Sequence, residues 1–272
     1  MSERRQKNYM VIAEKFYSAG DLEKALEFFQ KALNYEGELH QEILYAISGI
    51  YEQLGQGEKA LEFYEKIVAI DPNDHEAFIY MANIHDEDGN KNKAIECFKR
   101  AIEIIPQDNI AYNNIGSIYE EAGEYTLALK YIKKSLEINS DYYRALFNMG
   151  VVYYRIGDKI KSIEYYNKAK EMNPYYHYIY LNLSALYIED ENYDQAINIL
   201  TEGIECCPEA CDLYYNRSCC YSILKNKEKL LDDMKEAMEL CPNLVQWYLS
   251  DFDFEFYRDD REFSETLNHF IR

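Results

Sequence analysis

The chain has 272 residues, and 29 Lys+Arg against 49 Asp+Glu give a formal net charge of −20. With 48% apolar and 29% charged residues it belongs among folded rather than disordered chains. No apolar run reaches the roughly 18 residues of a membrane helix, and so negative a charge opposes binding to a phosphate backbone, so neither membrane nor nucleic acid is expected as a partner. The opening Met-Ser-Glu-Arg-Arg-Gln-Lys-Asn has no apolar stretch of the kind an export signal carries, and a cytoplasmic protein is expected.

Past a leader at 1–5, the sequence repeats itself. Small residues recur in one helical setting at Ala60, Ala94, Ala128, Ser162 and Ala196, each step 34 residues. Ala25 joins the series with one inserted residue, and Leu230 continues it. The units are 6–39, 41–74, 75–108, 109–142, 143–176, 177–210 and 211–244, with a tail at 245–272. Each reads as two amphipathic helices. In 75–108 the first carries Phe78, Met81, Ala82 and His85 on one stripe, and the second carries Ala94, Ile95, Phe98, Ala101 and Ile102. Between the two helices stand Gly20, Gly55, Gly89, Gly123 and Gly157, residues that end a helix in the left-handed conformation. Asp21, Asn90, Asp158, Asn192 and Asn226 then read as N-caps of the second helix. Pro72, Pro106, Pro174, Pro208 and Pro242 prevent its continuation.

Tyr112, Ile115-Gly116, Tyr119, Gly123 and Ala128 form a pattern that resembles the tetratricopeptide repeat, and the resemblance extends over about residues 6–244. Departures are local: Ile67 stands for a small residue, His85 for an aromatic, and Arg217 and Leu230 make the last unit the weakest. The resemblance implies an all-α, right-handed superhelical solenoid of seven helix-turn-helix repeats, whose first helices line a concave groove. The tail is expected to cap the apolar edge of the last repeat. Its stretch from Asp251-Phe252-Asp253-Phe254 to Phe263 resembles a closing segment common after such repeats. Trp247, Phe254, Phe263 and Phe270 read as packing residues of that cap.

Chemistry-bearing constellations are scarce. No Gly-rich phosphate loop, HExxH pair or nucleophile elbow is present, and the five His are scattered over different units, so no enzyme activity, catalytic residue or cofactor is expected. His85, at a core-facing position, reads as a packed and hydrogen-bonded ring. Six of the seven cysteines crowd together as Cys206, Cys207, Cys211, Cys219, Cys220 and Cys241, without the CxxC knuckles of structural zinc. The odd total and the missing export signal argue against disulfides, and these thiols are expected to be structural and metal-free.

The sharpest signal is a ladder of asparagines. Asn114, Asn148, Asn182 and Asn216 lie 34 apart, at the sixth position of successive first helices. Asn is a poor mid-helix residue, whereas an amide offers both donor and acceptor to an extended peptide backbone. In the resembled family that position faces the groove and holds ligand backbones. On the same residues, the alternative is that the amides bond neighbouring helices. Other groove positions carry Glu76, Asn83, Asp86, Glu87 and Glu120, then Arg144, Phe147, Tyr154 and Arg155, then Tyr178 and Tyr215. Residues 41–108 hold 14 acidic and 6 basic side chains, whereas 143–176 hold 3 and 6, a local positive exception suited to a carboxylate or phosphate. The family's clamp for chaperone tails needs Lys and Asn where Met10 and Glu14 stand, so that ligand is disfavoured. The reading is a non-catalytic scaffold holding an extended peptide of a protein partner of unknown identity. Its rivals are an assembly subunit using its outer face or ends, self-association included, and a regulatory module acting on an enzyme in trans.

Overall fold

A computed structural model describes residues 2–35 and 40–270. Met1 of the leader, the close of the first unit at 36–39 and the last two residues of the tail lie outside the described residues. The chain divides into two compact units, Met1–Ile138 and Asn139–Arg272. In the first, α1 (Ser2–Ser18) pairs with α2 (Leu22–Leu33), α3 (His40–Gln53) with α4 (Gly57–Ile70), α5 (His75–Glu87) with α6 (Lys91–Ile104), and α7 (Asn109–Glu121) with α8 (Tyr125–Ile138). Residues 2–5 of the leader therefore belong to α1. In the second unit, α9 (Tyr143–Arg155) pairs with α10 (Lys159–Met172), α11 (Tyr178–Glu189) with α12 (Tyr193–Cys206), and α13 (Cys211–Ile223) with α14 (Lys227–Leu240). No strand occurs among the described residues.

The turn within each pair is short, and one residue in it must take positive φ. Gly123 does so at +75°, a conformation open to glycine at no steric cost. The last two repeats lack the glycine, and there Glu191 and Lys225 adopt φ of 56° and 57°. The backbone path outweighs the roughly 1–2 kcal/mol cost of a side chain in that conformation. Asp21, Asp158, Asn192 and Asn226 cap the following helices through their side chains, whereas Asn90 makes no side-chain cap bond.

Where the helices cross, Ala25, Ala60, Ala94, Ala128, Ser162 and Ala196 are all fully buried. Close approach is what these small residues permit, and two glycines take it further. A Cβ at Gly116 would lie 2.4 Å from Ile132, and one at Gly150 would lie 2.6 Å from the ring of Tyr166. The bulk that fills the core on the second helix is thus accommodated by its absence on the first.

After α14 the chain makes a 3-10 turn at Pro242–Leu244, then α15 (Val245–Ser250), a 3-10 helix at Phe252–Tyr257 and α16 (Arg261–Phe270). Tyr248, Phe254, Tyr257, Phe263 and Leu267 from this tail pack on Leu230, Met234 and Met238 of α14 in one apolar cluster. Trp247 departs from the expectation of a packing residue: it is 57% exposed, with its ring edge-on to Tyr215. Position on the outer side of the short α15 decides this, because Val245 and Tyr248 occupy its inner side.

Two further expectations are corrected here. His85 is buried, but its Nδ1 has no hydrogen-bond partner, and burial, the largest cause, lowers its pKa. Cys211 and Cys241 form a disulfide, with Cα atoms 6.1 Å apart, against the expectation that no thiol pairs. The antiparallel pairing of α13 and α14 brings the first turn of one beside the last turn of the other, a proximity that a separation of 30 residues does not announce. Closing a loop of that length is worth about 3.5 kcal/mol in the chain-entropy account. Reduction, or replacing both residues by Ser, is therefore expected to lower the melting temperature by roughly 5–10 °C, read by far-ultraviolet dichroism with and without reductant. An unchanged transition would mean the bond does not form in solution.

Candidate functional site

In the first unit the candidate residues are largely solvated carboxylates. Glu76 and Glu87 are exposed on α5, while Asp86 and Glu120 are half-buried. Asp86 is drawn to Lys91 at 2.8 Å, and the same ammonium reaches Glu121 of the next repeat at 2.7 Å. Burial opposes the charge of Lys91, yet these two carboxylates hold its pKa above the ordinary value. Asn83 and Asn114 are half-buried, and the Asn114 Oδ1 lies 3.4 Å from the Asn113 amide nitrogen.

The second unit collects aromatic rings around a cation. The Arg144 Nε donates to the Tyr143 hydroxyl at 3.1 Å, and its guanidinium lies 5.6 Å and 5.8 Å from the ring centroids of Tyr143 and Tyr176. Phe147 meets Tyr176 edge-on at 5.2 Å, and Tyr178 lies 5.3 Å from the same ring. Burial raises the pKa of the Tyr176 phenol, which stays a neutral platform. Arg144, Arg155 and Tyr178 are exposed. Tyr154 is exposed as well, but its hydroxyl donates to the Glu189 carboxylate. The sequence reading had missed Tyr143 and Tyr176, because they sit at the ends of the repeat, outside the positions it assigned to the groove.

The amides keep their register. Asn148, Asn182 and Asn216 occupy the same half-buried position on α9, α11 and α13. The Nδ2 groups of Asn182 and Asn216 both donate to the carbonyl four residues earlier, Tyr178 and Asp212, at 2.8 Å. The Asn182 Oδ1 also accepts from the Tyr166 hydroxyl on α10 at 3.3 Å. A link between helices, the alternative reading, is thus present at Asn182. Tyr215 is not an accessible site residue. It is 6% exposed, its hydroxyl donates to Asp251 at 2.6 Å, and the rings of Trp247, Tyr248 and Phe254 surround it. The cap folds over that position in the last repeat, which no earlier repeat experiences.

Cys219, Asp251 and Asp253 bring ligand-type atoms within 4.8 Å of one another, the one such group among the described residues. Burial, then Asp253 and Asp251, push the Cys219 thiol well above its ordinary pKa, so it stays protonated. With Asp251 engaged by Tyr215, the group ties α13 to the cap rather than presenting a thiolate.

Profiles described as "Tetratricopeptide repeat" match residues 16–78 and 53–115, 107–174, and 177–209 with 212–244. The chain belongs to the tetratricopeptide repeat family. Among solved structures, a tetratricopeptide repeat protein from Parabacteroides merdae ATCC 43184 is similar over 99% of this chain and 100% of its own, with a TM-score of 0.70 and 18% identity. The MamA protein is 26% identical, covering 62% of this chain and 92% of its own at a TM-score of 0.56. Cut9, in the APC/C hetero-tetramer Cut9–Hcn1, gives a TM-score of 0.62 at 17% identity, over 97% of this chain and 49% of that one. A search of curated proteins finds no match. Tetratricopeptide repeat proteins are generally non-catalytic interaction scaffolds, and no helix among the described residues is long and apolar enough to cross a membrane.

Proposed function

We propose that this tetratricopeptide repeat protein is a non-catalytic scaffold that holds an extended segment of a protein partner against its first helices. The observation that carries the reading is the recurrence of a half-buried amide at one position of α9, α11 and α13. The Asn216 donor is committed to its own helix, which directs its Oδ1 toward a ligand N–H. Asn114 offers the same group in the first unit. Beside Asn148 on α9, Arg144 on its Tyr143–Tyr176 platform is the anchor for a carboxylate or phosphate, strengthened by the aromatic faces. In the first unit Glu76, Asp86, Glu87 and Glu120 favour basic residues on the ligand, an attraction that weakens with salt.

Each net hydrogen bond is worth about 1 kcal/mol, so Asn148→Ala is expected to weaken binding by roughly fivefold and no more than about tenfold. The double variant is Asn148→Ala with Asn216→Ala, beside Asn182→Ala, whose amide also holds Tyr166. It should weaken peptides of different sequence alike, since backbone contacts read no side chain. Arg144→Glu, and more weakly Arg155→Glu, should instead discriminate, losing ligands with an acidic or C-terminal anchor. The test is recovery of a partner on wild-type protein beside the double-Asn variant, with helicity as the control for folding. Full binding by a well-folded double variant would remove the first helices as the site.

A further inference from the structure

Two exposed surfaces of opposite character stand apart from the candidate peptide site. On α1, Arg4, Asn8, Val11 and Lys15 fall on one helical stripe, opposite the buried Gln6 and Ala13. Ile12 and Arg5 flank it. Val11 and Ile12 are 50% and 36% exposed, and no carboxylate lies on the stripe. Lys7 is balanced by Glu3 at 2.7 Å, but Arg4, Arg5 and Lys15 make no ion pair among the described residues. In a chain of net charge −20 this is a basic, apolar exception.

The cap carries the complement. A 3-10 helix has three residues per turn, so Phe252–Tyr257 directs Phe254 and Tyr257 inward, where both are buried. The same geometry puts Phe252 with Glu255 on one outer edge and Asp253 with Phe256 on the other. Phe252 and Phe256 are 78% and 69% exposed, and Trp247 adds a third open ring. Residues 251–265 hold seven carboxylates against Arg258 and Arg261. The ring of Phe256 already has the Lys225 ammonium 5.0 Å from its centroid, so this surface receives a cation within the chain itself.

We propose that copies of this chain associate head to tail, the basic face of α1 in one copy docking on the acidic aromatic face of the cap in the next. Val11 and Ile12 meet Phe252 and Phe256, while Arg4 and Lys15 meet Glu255 and Asp259. Pairing cap with cap, or α1 with α1, would set like charges together and is disfavoured. A contact of this kind, repeated from copy to copy, builds closed or open assemblies. The surfaces are small, so the contact is weak, and its charges make it salt-dependent.

Sedimentation velocity over a range of protein concentrations tests this. The wild-type weight-average mass should rise above that of the monomer at low salt, and the association should weaken at least tenfold in about 0.5 M salt. Arg4→Glu with Lys15→Glu should abolish association, as should Glu255→Lys with Asp259→Lys. All four positions are exposed, and unchanged helicity shows that each variant folds. Mixing the two variants restores opposite charge at both contacts and should recover association in alternating order. A wild type that stays monomeric throughout, association that survives either charge reversal, or a mixture that stays monomeric would each overturn the proposal.

Discussion

Deleting residues 245–272 is expected to turn the protein into one that aggregates and loses cooperative unfolding of its last repeats. Leu230, Met234 and Met238 of α14 are fully buried, and the side chains over them are Tyr248, Phe254, Tyr257, Phe263 and Leu267 of the tail. Each large apolar side chain returned to water costs about 2 kcal/mol, and several together would form a contiguous patch that drives association. Single replacements resolve the effect. Phe254→Ala empties a site of 0% exposure and should cost about 3–5 kcal/mol, whereas Trp247→Ala at 57% exposure should cost under about 1 kcal/mol. Denaturant titration of both variants beside solubility of the deletion checks the assignment. A soluble deletion with an unchanged transition would mean the tail is not a cap.

Asp233→Ala should be the most damaging single change to a polar residue in the second unit. Arg217 stands at the repeat position occupied by Leu183 one unit earlier, and Asp233 at that of Ile199. The last repeat thus replaces an aliphatic pair with an ion pair. The guanidinium donates to both carboxylate oxygens at 2.8 Å and 2.7 Å, and a third bond runs to Thr201 at 2.9 Å. Burial raises the Asp233 pKa even though Arg217 pulls it down, so for this carboxylate desolvation outweighs the attraction. Removing the carboxylate leaves a cation enclosed without its partner, at a cost of about 3–5 kcal/mol. The double change Arg217→Leu with Asp233→Ile restores the earlier repeat's pair and should fall within about 1.5 kcal/mol of wild type. Denaturant unfolding of the singles and the double completes the cycle. A cost below 1 kcal/mol for Asp233→Ala would mean Arg217 reaches water unaided.

Much of the architecture was legible before any coordinates. The period of 34, the small residues at six of the seven crossings and the glycines at five of the seven turns are local requirements, and a repeated local requirement leaves a repeated residue. For the same reason the position of the asparagines was legible, since register along a helix determines which residues share a stripe. What their amides do was less so: Asn182 and Asn216 bond their own helices, and Asn182 also reaches a tyrosine of the preceding helix.

By itself, the sequence determined the helix pairs, their number and the tail that follows them, because 3.6-residue periodicity and turn stereochemistry act over a few residues at a time. The tertiary structure decided the departures, and each occurs once. Cys211 meets Cys241 because antiparallel helices bring distant ends together. Tyr215 is buried and Trp247 exposed because the cap lies over one and turns the other outward. Arg217 is neutralised by a carboxylate that stands where the preceding repeat has Ile199. A feature made once, by residues far apart in the chain, leaves no period in the sequence; its physical basis is proximity, which only folding supplies.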